Sequence, residues 1–121
     1  MLTPTITFID ATGPQIRAGF KLAASGNYST GGDTVNLAGA AAAPSFIGMV
    51  PQIEALGAPI AFNVWDQSGQ ITYIIAPVAG TTQSNNKVKF ATALTSELSA
   101  DAYPAGLTGA QLVGEAVFNK L

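Results

Sequence analysis

The amino-acid sequence predicts an all-β protein: an antiparallel β-sandwich, a jelly-roll-like sandwich or a small barrel, with at most one short helix. Three observations support this fold class. Apolar residues recur mostly with a period of two rather than 3.6. Turn-forming residues separate the apolar runs at nearly regular spacing. No repeat or linker divides the 121 residues, so residues 1–121 are expected to form a single β domain.

The first strands alternate clearly. We predict a strand at Thr5–Ile9, with Ile6 and Phe8 on one face, and a second strand at Gln15–Leu22. The apolar face of this second strand consists of Ile16, Ala18, Phe20 and Leu22. Because its other face is polar, the pattern indicates an antiparallel strand with one side packed on a core.

Turns and small residues follow. Ser25–Asn27 and Gly31–Asp33 are turn signals, and Thr34–Leu37 is a short strand. The segment Ala38–Ala43 is rich in alanine and glycine and suits a loop, a close backbone approach or one helical turn. Phe46–Glu54 is a further predicted strand, interrupted by a proline that favours an edge or a bend.

The second half contains the remaining strands. Pro59–Asp66 is a predicted strand, and its residues Ala61–Asp66 are expected to pair with Gln70–Ala76 as a hairpin through a turn at residues 67–69. Lys87–Leu94 alternates again, and Leu112–Phe118 is the final strand. A short helical turn is also predicted to open at Thr95.

The charge content indicates assembly rather than chemistry. Only 10% of the residues are charged and 48% are hydrophobic, with no His and no Cys, whereas soluble domains carry about 25% charged residues. The two stretches Thr34–Ile53 and Gln67–Lys87 together contain one charged residue, Lys87. Exposed apolar patches are usually contact sites, so we expect much of this surface to meet other subunits.

The same composition argues against several functions. The five basic residues are scattered, whereas nucleic-acid binding needs clustered Lys and Arg. Turn residues interrupt every apolar stretch, so no membrane span is expected. Without His or Cys, and with the acids mostly in turns, no catalytic residue, metal site or cofactor is predicted. If the protein were an acid-dependent hydrolase, Asp66 and Glu115 would be its candidate carboxylate pair.

An aromatic surface is a further candidate. Trp65 and Tyr73 lie on opposite arms of the predicted hairpin, so their rings are expected to be neighbours. They would form either a core or inter-subunit cluster or a platform on which sugars stack. The second alternative would make the protein a carbohydrate-binding β-sandwich.

The most specific segment is Tyr28–Leu37, with the sequence Tyr-Ser-Thr-Gly-Gly-Asp-Thr-Val-Asn-Leu. We interpret Tyr28, Gly31, Gly32 and Asp33 as a structural turn, because the two glycines permit positive φ and the aspartate caps the turn. The segment resembles one found in small head proteins of tailed bacteriophages. The later stretch Ala102–Gly106, followed by an apolar strand, extends the resemblance.

This resemblance implies a decoration, or cement, protein without enzymatic activity. Such proteins are made in the host cytoplasm, bind the outer surface of the virion's capsid and stabilise it by bridging neighbouring major capsid subunits, often as dimers or trimers. Another minor virion component, of the tail or of head completion, is the alternative. The contact segments are expected at Met1–Ile9 and Thr34–Ile53. The candidate contact residues are Leu2, Ile6, Phe46, Ile47, Met49 and Val50.

Overall fold

The protein is built from short antiparallel strands. The computed structural model describes residues 1–10, 12–37, 58–69, 71–93 and 95–119. The strands are β1 (Leu2–Asp10), β2 (Gln15–Ala24), β3 (Asp33–Val35), β4 (Ala61–Asp66), β5 (Ile74–Val78), β6 (Asn86–Ala93), β7 (Ser96–Glu97) and β8 (Leu112–Asn119). One short helix, α1 (Ala105–Thr108), lies between β7 and β8.

The first sheet has the strand order β1-β2-β8-β4, with every neighbouring pair antiparallel. Its central pair joins distant parts of the chain, because Gln15 lies opposite Asn119 and Leu22 opposite Leu112. The predicted alternation of β2 is confirmed: the side chains that it buries include Ile16, Ala18, Phe20 and Leu22.

The second sheet has the order β3-β6-β5, and β7 pairs with the end of β6. Val88 and Phe90 of β6 are fully buried, whereas Lys87 and Lys89, which alternate with them, are exposed. This sheet therefore also presents one face to the core and one to solvent, as antiparallel sheets commonly do.

The core lies between the two sheets. Its largest fully buried side chains are Tyr28, Phe20, Phe90, Phe118, Ile16, Leu37, Leu107, Leu112, Val35 and Val88. Phe20 and Phe62 stack with ring centroids 5.7 Å apart, which joins β2 to β4 on the inner face of the first sheet. The predicted all-β class is confirmed as a sandwich-like arrangement, and the described strands do not close into a barrel.

A β-bulge in β1 corrects one predicted face. Ile6 pairs with Phe20 and Phe8 with Gly19, so Thr7 is an extra residue in the ladder. Because side chains alternate strictly along a strand, one extra residue moves everything after it to the other side. Ile6 therefore packs against the core, whereas Phe8 points outward and is 50% exposed.

The predicted hairpin at residues 67–69 is wrong. The turn exists, and Gly69 has a φ of 67°, but β4 belongs to the first sheet and β5 to the second. The carboxylate of Asp66 accepts hydrogen bonds from the backbone N–H groups of Ser68 and Ile71 at 3.2 and 3.1 Å. This turn therefore carries the chain from one sheet to the other.

Two further predictions need comment. The helical turn expected at residue 95 is wrong, because Ser96–Glu97 pairs with β6 as a strand and the short helix lies at Ala105–Thr108. The strand expected at Phe46–Glu54 and the loop at Ala38–Ala43 lie outside the described residues.

Candidate functional site

The outer face of the first sheet carries two half-exposed aromatic rings. Phe8 on β1 is 50% exposed and Trp65 on β4 is 47% exposed. The sheet register places them at the ends of two adjacent cross-strand rows. One row contains Phe8, Gly19, Glu115 and Asn63; the next contains Thr5, Lys21, Val113 and Trp65.

Phe8 is seated on a glycine. A Cβ atom at Gly19 would overlap the Phe8 ring, so only glycine allows the ring to lie flat over β2. The bulge at Thr7 turns Phe8 outward, and Gly19 gives it a surface to cover. Two separate backbone features, the bulge at Thr7 and the glycine at position 19, therefore set the position of the exposed Phe8 ring.

A shallow cleft lies between the two rings. It has a volume of about 290 Å³, and its lining includes Phe8, Lys21, Trp65, Gln67 and Val113. A second cleft of about 530 Å³ continues from it and shares Lys21, Gln67 and Val113. The two clefts thus form one groove across the outer face, with aromatic walls at one end.

The charges around this groove are partly matched. Arg17 Nη1 lies 3.0 Å from Glu115 Oε1, so each of these charges has a partner. Within the described part of the chain, Lys21 and the side-chain amide of Gln67 make no hydrogen bond or ion pair. Both polar groups therefore remain able to bind a ligand in the groove.

Tyr73, the other predicted member of the aromatic surface, lies elsewhere. Its ring lies beside Gly106 of the helix α1, and it lines a different cleft of about 290 Å³ with Ser68 and Ile71. No cleft described in the structure contains both Trp65 and Tyr73. The expected Trp65–Tyr73 pair rested on the hairpin, and the change of sheet at residues 67–69 separates its two arms.

The outer face of the second sheet carries an apolar stripe. Ile74, Ala76 and Val78 alternate along β5 on this face, and Ile74 and Val78 are 36% and 49% exposed. In the described part of the chain, β5 is the last strand of its sheet. Lys87 and Lys89 lie opposite Val78 and Ala76 in the ladder, so they form a basic margin along the stripe.

The segment Tyr28–Asp33 forms a partly buried polar network rather than a simple surface turn. The Tyr28 hydroxyl donates to Glu97 Oε2 at 2.6 Å, and the Gly31 N–H donates to the same oxygen at 2.6 Å. Gly31 and Gly32 have φ values of 90° and 108°, which glycine adopts without strain. These hydrogen bonds, from Tyr28 first, hold the pKa of Glu97 below its ordinary value.

Asp33 is the centre of the other half of this network. Burial raises the pKa of its carboxyl, but hydrogen bonds from the Tyr103 hydroxyl, the Met1 ammonium and the Ser29 N–H outweigh burial and lower it. The Met1 ammonium lies 3.1 Å from Asp33 Oδ2. The same network raises the pKa of Tyr103, through burial and then the bond to Asp33.

Three aromatic rings cover this network. The rings of Tyr28, Phe90 and Tyr103 meet edge to face, with centroids 5.8 to 6.1 Å apart. Burial, followed by the bond to Glu97, raises the pKa of Tyr28 to about 12. The arrangement ties the turn at residues 28–33 to β6, β7 and the segment before α1, which gives it a structural function.

The predicted contact residues have different positions. Leu2 is 4% exposed and belongs to the core, so its side chain is not available to a partner. Ile6 is partly buried and packs against the same core. Phe46, Ile47, Met49 and Val50 lie outside the described residues.

Sequence reasoning missed the exposed apolar residues that the structure identifies. Phe8 lies on the opposite face of β1 from the predicted one, Ile74 belongs to the predicted strand Gln70–Ala76, and Val78 lies beyond the end of that strand. Strand β5 contains no polar residue. The periodicity of its sequence therefore does not distinguish the outer face, with Ile74, Ala76 and Val78, from the inner face, with Ile75 and Pro77.

Among the described residues, no three His, Cys, Asp or Glu side chains lie close enough together to hold a metal ion. The part of the chain that the structure describes also has no helix of the length and hydropathy needed to span a membrane. No family model, curated protein or solved structure matches the chain.

Proposed function

We propose that the chain is a non-enzymatic virion protein that decorates and stabilises a bacteriophage capsid by binding its major capsid protein. The observation that carries this proposal is the uncharged stripe Ile74–Val78 on the outer face of an end strand. Exposed, regular and apolar strands at a sheet margin favour association with other chains. The resemblance of Tyr28–Leu37 to small phage head proteins gives the class of partner.

The stripe also defines the chemistry of its partner. Ile74 and Val78 are four residues apart on one strand, so the apolar contact extends over about 13 Å. Lys87 and Lys89 border it on one side. The complementary surface on a capsid subunit is therefore an apolar strip with acidic residues along one margin.

A lattice compensates for the small size of such a contact. One stripe of this length buries less than a stable pairwise interface of about 1,200–2,000 Å² needs. A dimer or trimer that binds several capsid subunits at once gains through effective concentration. The low charge content of the chain fits a protein that spends its functional life covered by neighbours.

The first test is the mass of the purified protein, measured by light scattering, and its co-sedimentation with expanded empty heads assembled from the major capsid protein of the same source. We expect a dimer or trimer that saturates the heads at hundreds of copies, as decoration of a large lattice requires. A dozen or fewer copies would indicate a tail or head-completion protein instead. A monomer that does not bind the heads would contradict the proposal.

Matched variants locate the contact. The double variant Ile74→Ser, Val78→Ser replaces exposed apolar groups and is expected to lower occupancy of the heads at least tenfold while the circular dichroism spectrum is unchanged. Phe8→Ala, on the opposite sheet, is the control and is expected to leave occupancy unaltered. Equal occupancy for both variants would remove the stripe from the contact surface.

A further inference from the structure

We propose that the groove between Phe8 and Trp65, on the outer face of the first sheet, binds a linear oligosaccharide. This site is distinct from the stripe on β5, because it lies on the other sheet. It also differs from the aromatic pair expected from the sequence, since Phe8 takes the place of Tyr73.

The first argument is the exposure of the two rings. Phe8 and Trp65 are each about half exposed, at 50% and 47%, which leaves their faces in contact with water. The face of an aromatic ring carries partial negative charge and attracts the positively polarised C–H groups of a sugar ring. Two such rings on one flat sheet face give a ligand two stacking positions.

The second argument is that the backbone is arranged to expose Phe8. Without the extra residue Thr7, continued alternation from Ile6 would place the eighth residue on the core side. Bulges beside binding sites commonly redirect a side chain in this way. Gly19 then supplies the flat surface that holds the ring over β2.

The third argument is the set of polar groups between the rings. Lys21 and Gln67 line the cleft and have no side-chain partners among the described residues. Together they supply donors and an acceptor, the combination that sugar hydroxyl groups need. Glu115 also lines the cleft, and its charge is already paired with Arg17, so an approaching hydroxyl or carboxylate group meets little net negative charge.

The dimensions favour an oligosaccharide over a single sugar. Phe8 lies over β2 and Trp65 projects from β4, two strands further along, a separation of about 10 Å. The groove then continues into the larger cleft of about 530 Å³, past Thr3 and Thr5. A single pyranose ring covers one aromatic ring, whereas a chain of sugars spans both and extends along the cleft.

This location is compatible with the proposed function and does not depend on it. The two sheets of a sandwich face opposite directions, so a protein bound to a capsid through β5 presents the Phe8–Trp65 groove towards the medium. A glycan bound there would attach the particle to a carbohydrate-coated surface. Many identical copies would make weak individual binding effective.

Trp65 provides a direct readout, because it is the only tryptophan in the chain. The purified wild-type protein is titrated with cellohexaose, chitohexaose and hexagalacturonate, and the tryptophan fluorescence is recorded. Stacking of a sugar on the indole is expected to change the emission saturably with at least one of these probes. Hexagalacturonate is expected to bind most tightly, since Lys21 can pair with its carboxylates.

The variants separate a stacking site from general surface adsorption. Phe8→Ala keeps the fluorescent reporter and removes the other ring, so it is expected to weaken binding at least tenfold. Lys21→Gln is expected to weaken hexagalacturonate selectively. Ile74→Ser, Val78→Ser is the matched control on the other sheet and is expected to bind the probe like the wild type.

The outcomes are distinguishable from those of the capsid experiment. No saturable change with any of the three probes would overturn this inference and leave the capsid proposal untouched. Unchanged affinity in Phe8→Ala, with the fold intact by circular dichroism, would also overturn it. Glycan binding without binding to heads would support the groove and contradict the decoration function.

Discussion

The hydroxyl group of Tyr103 donates a buried hydrogen bond to Oδ2 of Asp33, although the two residues lie 70 positions apart in the chain. Asp33 starts β3 and is 6% exposed, and Tyr103 precedes α1 and is also 6% exposed. A carboxylate removed from water in this way depends on its hydrogen-bond donors. This single contact therefore connects the glycine turn, the second sheet and the segment before the last strand.

Replacing Tyr103 with phenylalanine tests that connection. The variant keeps the edge-to-face contacts with Tyr28 and Phe90 but removes a donor to a buried charge. We expect the free energy of unfolding to fall by about 1.5–3 kcal/mol, measured by urea denaturation. Tyr73→Phe is the control, with an expected change within about 0.5 kcal/mol. An equal effect of both replacements would show that the Asp33 bond adds nothing specific.

The low pKa of Asp33 predicts loss of stability in acid. Burial alone raises this pKa, but the bonds from Tyr103, the Met1 ammonium and Ser29 lower it below the value in the unfolded chain. A carboxyl group with a depressed pKa stabilises the folded state at pH values above its pKa in the unfolded chain, which is about 4 for aspartate. That contribution disappears as the pH falls through the folded value.

Asp33→Asn tests the acid dependence. The variant is expected to be less stable at about pH 6 but to lose less stability than the wild type on going to about pH 2.5. Urea midpoints at the two pH values give the comparison. Parallel losses in the two proteins would assign the acid sensitivity to other carboxyl groups, with Glu97 the first to examine.

Tyr28 predicts a loss of stability in alkali. Burial and the bond to Glu97 raise its pKa to about 12, whereas a tyrosine in the unfolded chain titrates at about 10. The native state therefore holds its proton longer, so the stabilisation is complete below about pH 10 and declines as the pH rises towards 12. Urea midpoints should fall over this interval. In Tyr28→Phe, a slope as steep as that of the wild type would exclude this residue as the source.

Two glycines of the first sheet are expected to respond differently to alanine. A Cβ at Gly114 would overlap the buried Phe20 ring and lie 2.6 Å from the carbonyl oxygen of Asn63, which is fixed in the sheet. Gly114→Ala is therefore expected to cost about 1–3 kcal/mol of unfolding free energy. At Gly19 the new atom meets only the exposed ring of Phe8, which can turn away.

Gly19→Ala is thus expected to change stability by no more than about 0.5 kcal/mol while displacing Phe8 from its seat. Thermal unfolding compares the two variants, and the oligosaccharide titration reports the position of the ring. A larger loss for Gly19→Ala than for Gly114→Ala would contradict this assignment of the two faces.

The sequence could predict what depends on uninterrupted alternation. In β2 the apolar residues alternate with polar residues or glycine, so the pattern predicts directly which face of the strand is buried. The structure confirms this face. In β1 the predicted alternation fails at Thr7. A bulge there moves the following side chains to the opposite faces of the sheet, and no residue type in the sequence indicates the bulge. The prediction that Ile6 and Phe8 share one face was therefore wrong.

The sequence could not predict how strands combine. The turn at residues 67–69 was recognisable from its residues, but a turn signal does not specify whether the next strand returns to the same sheet. The polar network has a similar limit. Tyr28 and Asp33 were recognised as parts of a turn, whereas their partners Glu97 and Tyr103 lie 69 and 70 positions away and are brought to them only by the fold.

The pairing of β2 with β8 has a consequence for biosynthesis. Arg17 and Glu115, which form an ion pair across these strands, are 98 positions apart. While the ribosome is still adding the intervening residues, β2 has only β1 beside it and its other margin is without a partner. Folds dominated by such distant contacts form in about milliseconds to seconds. The newly made chain therefore passes through a period in which one edge of β2 has unpaired backbone N–H and C=O groups, and the first sheet is completed only when β8 has been made.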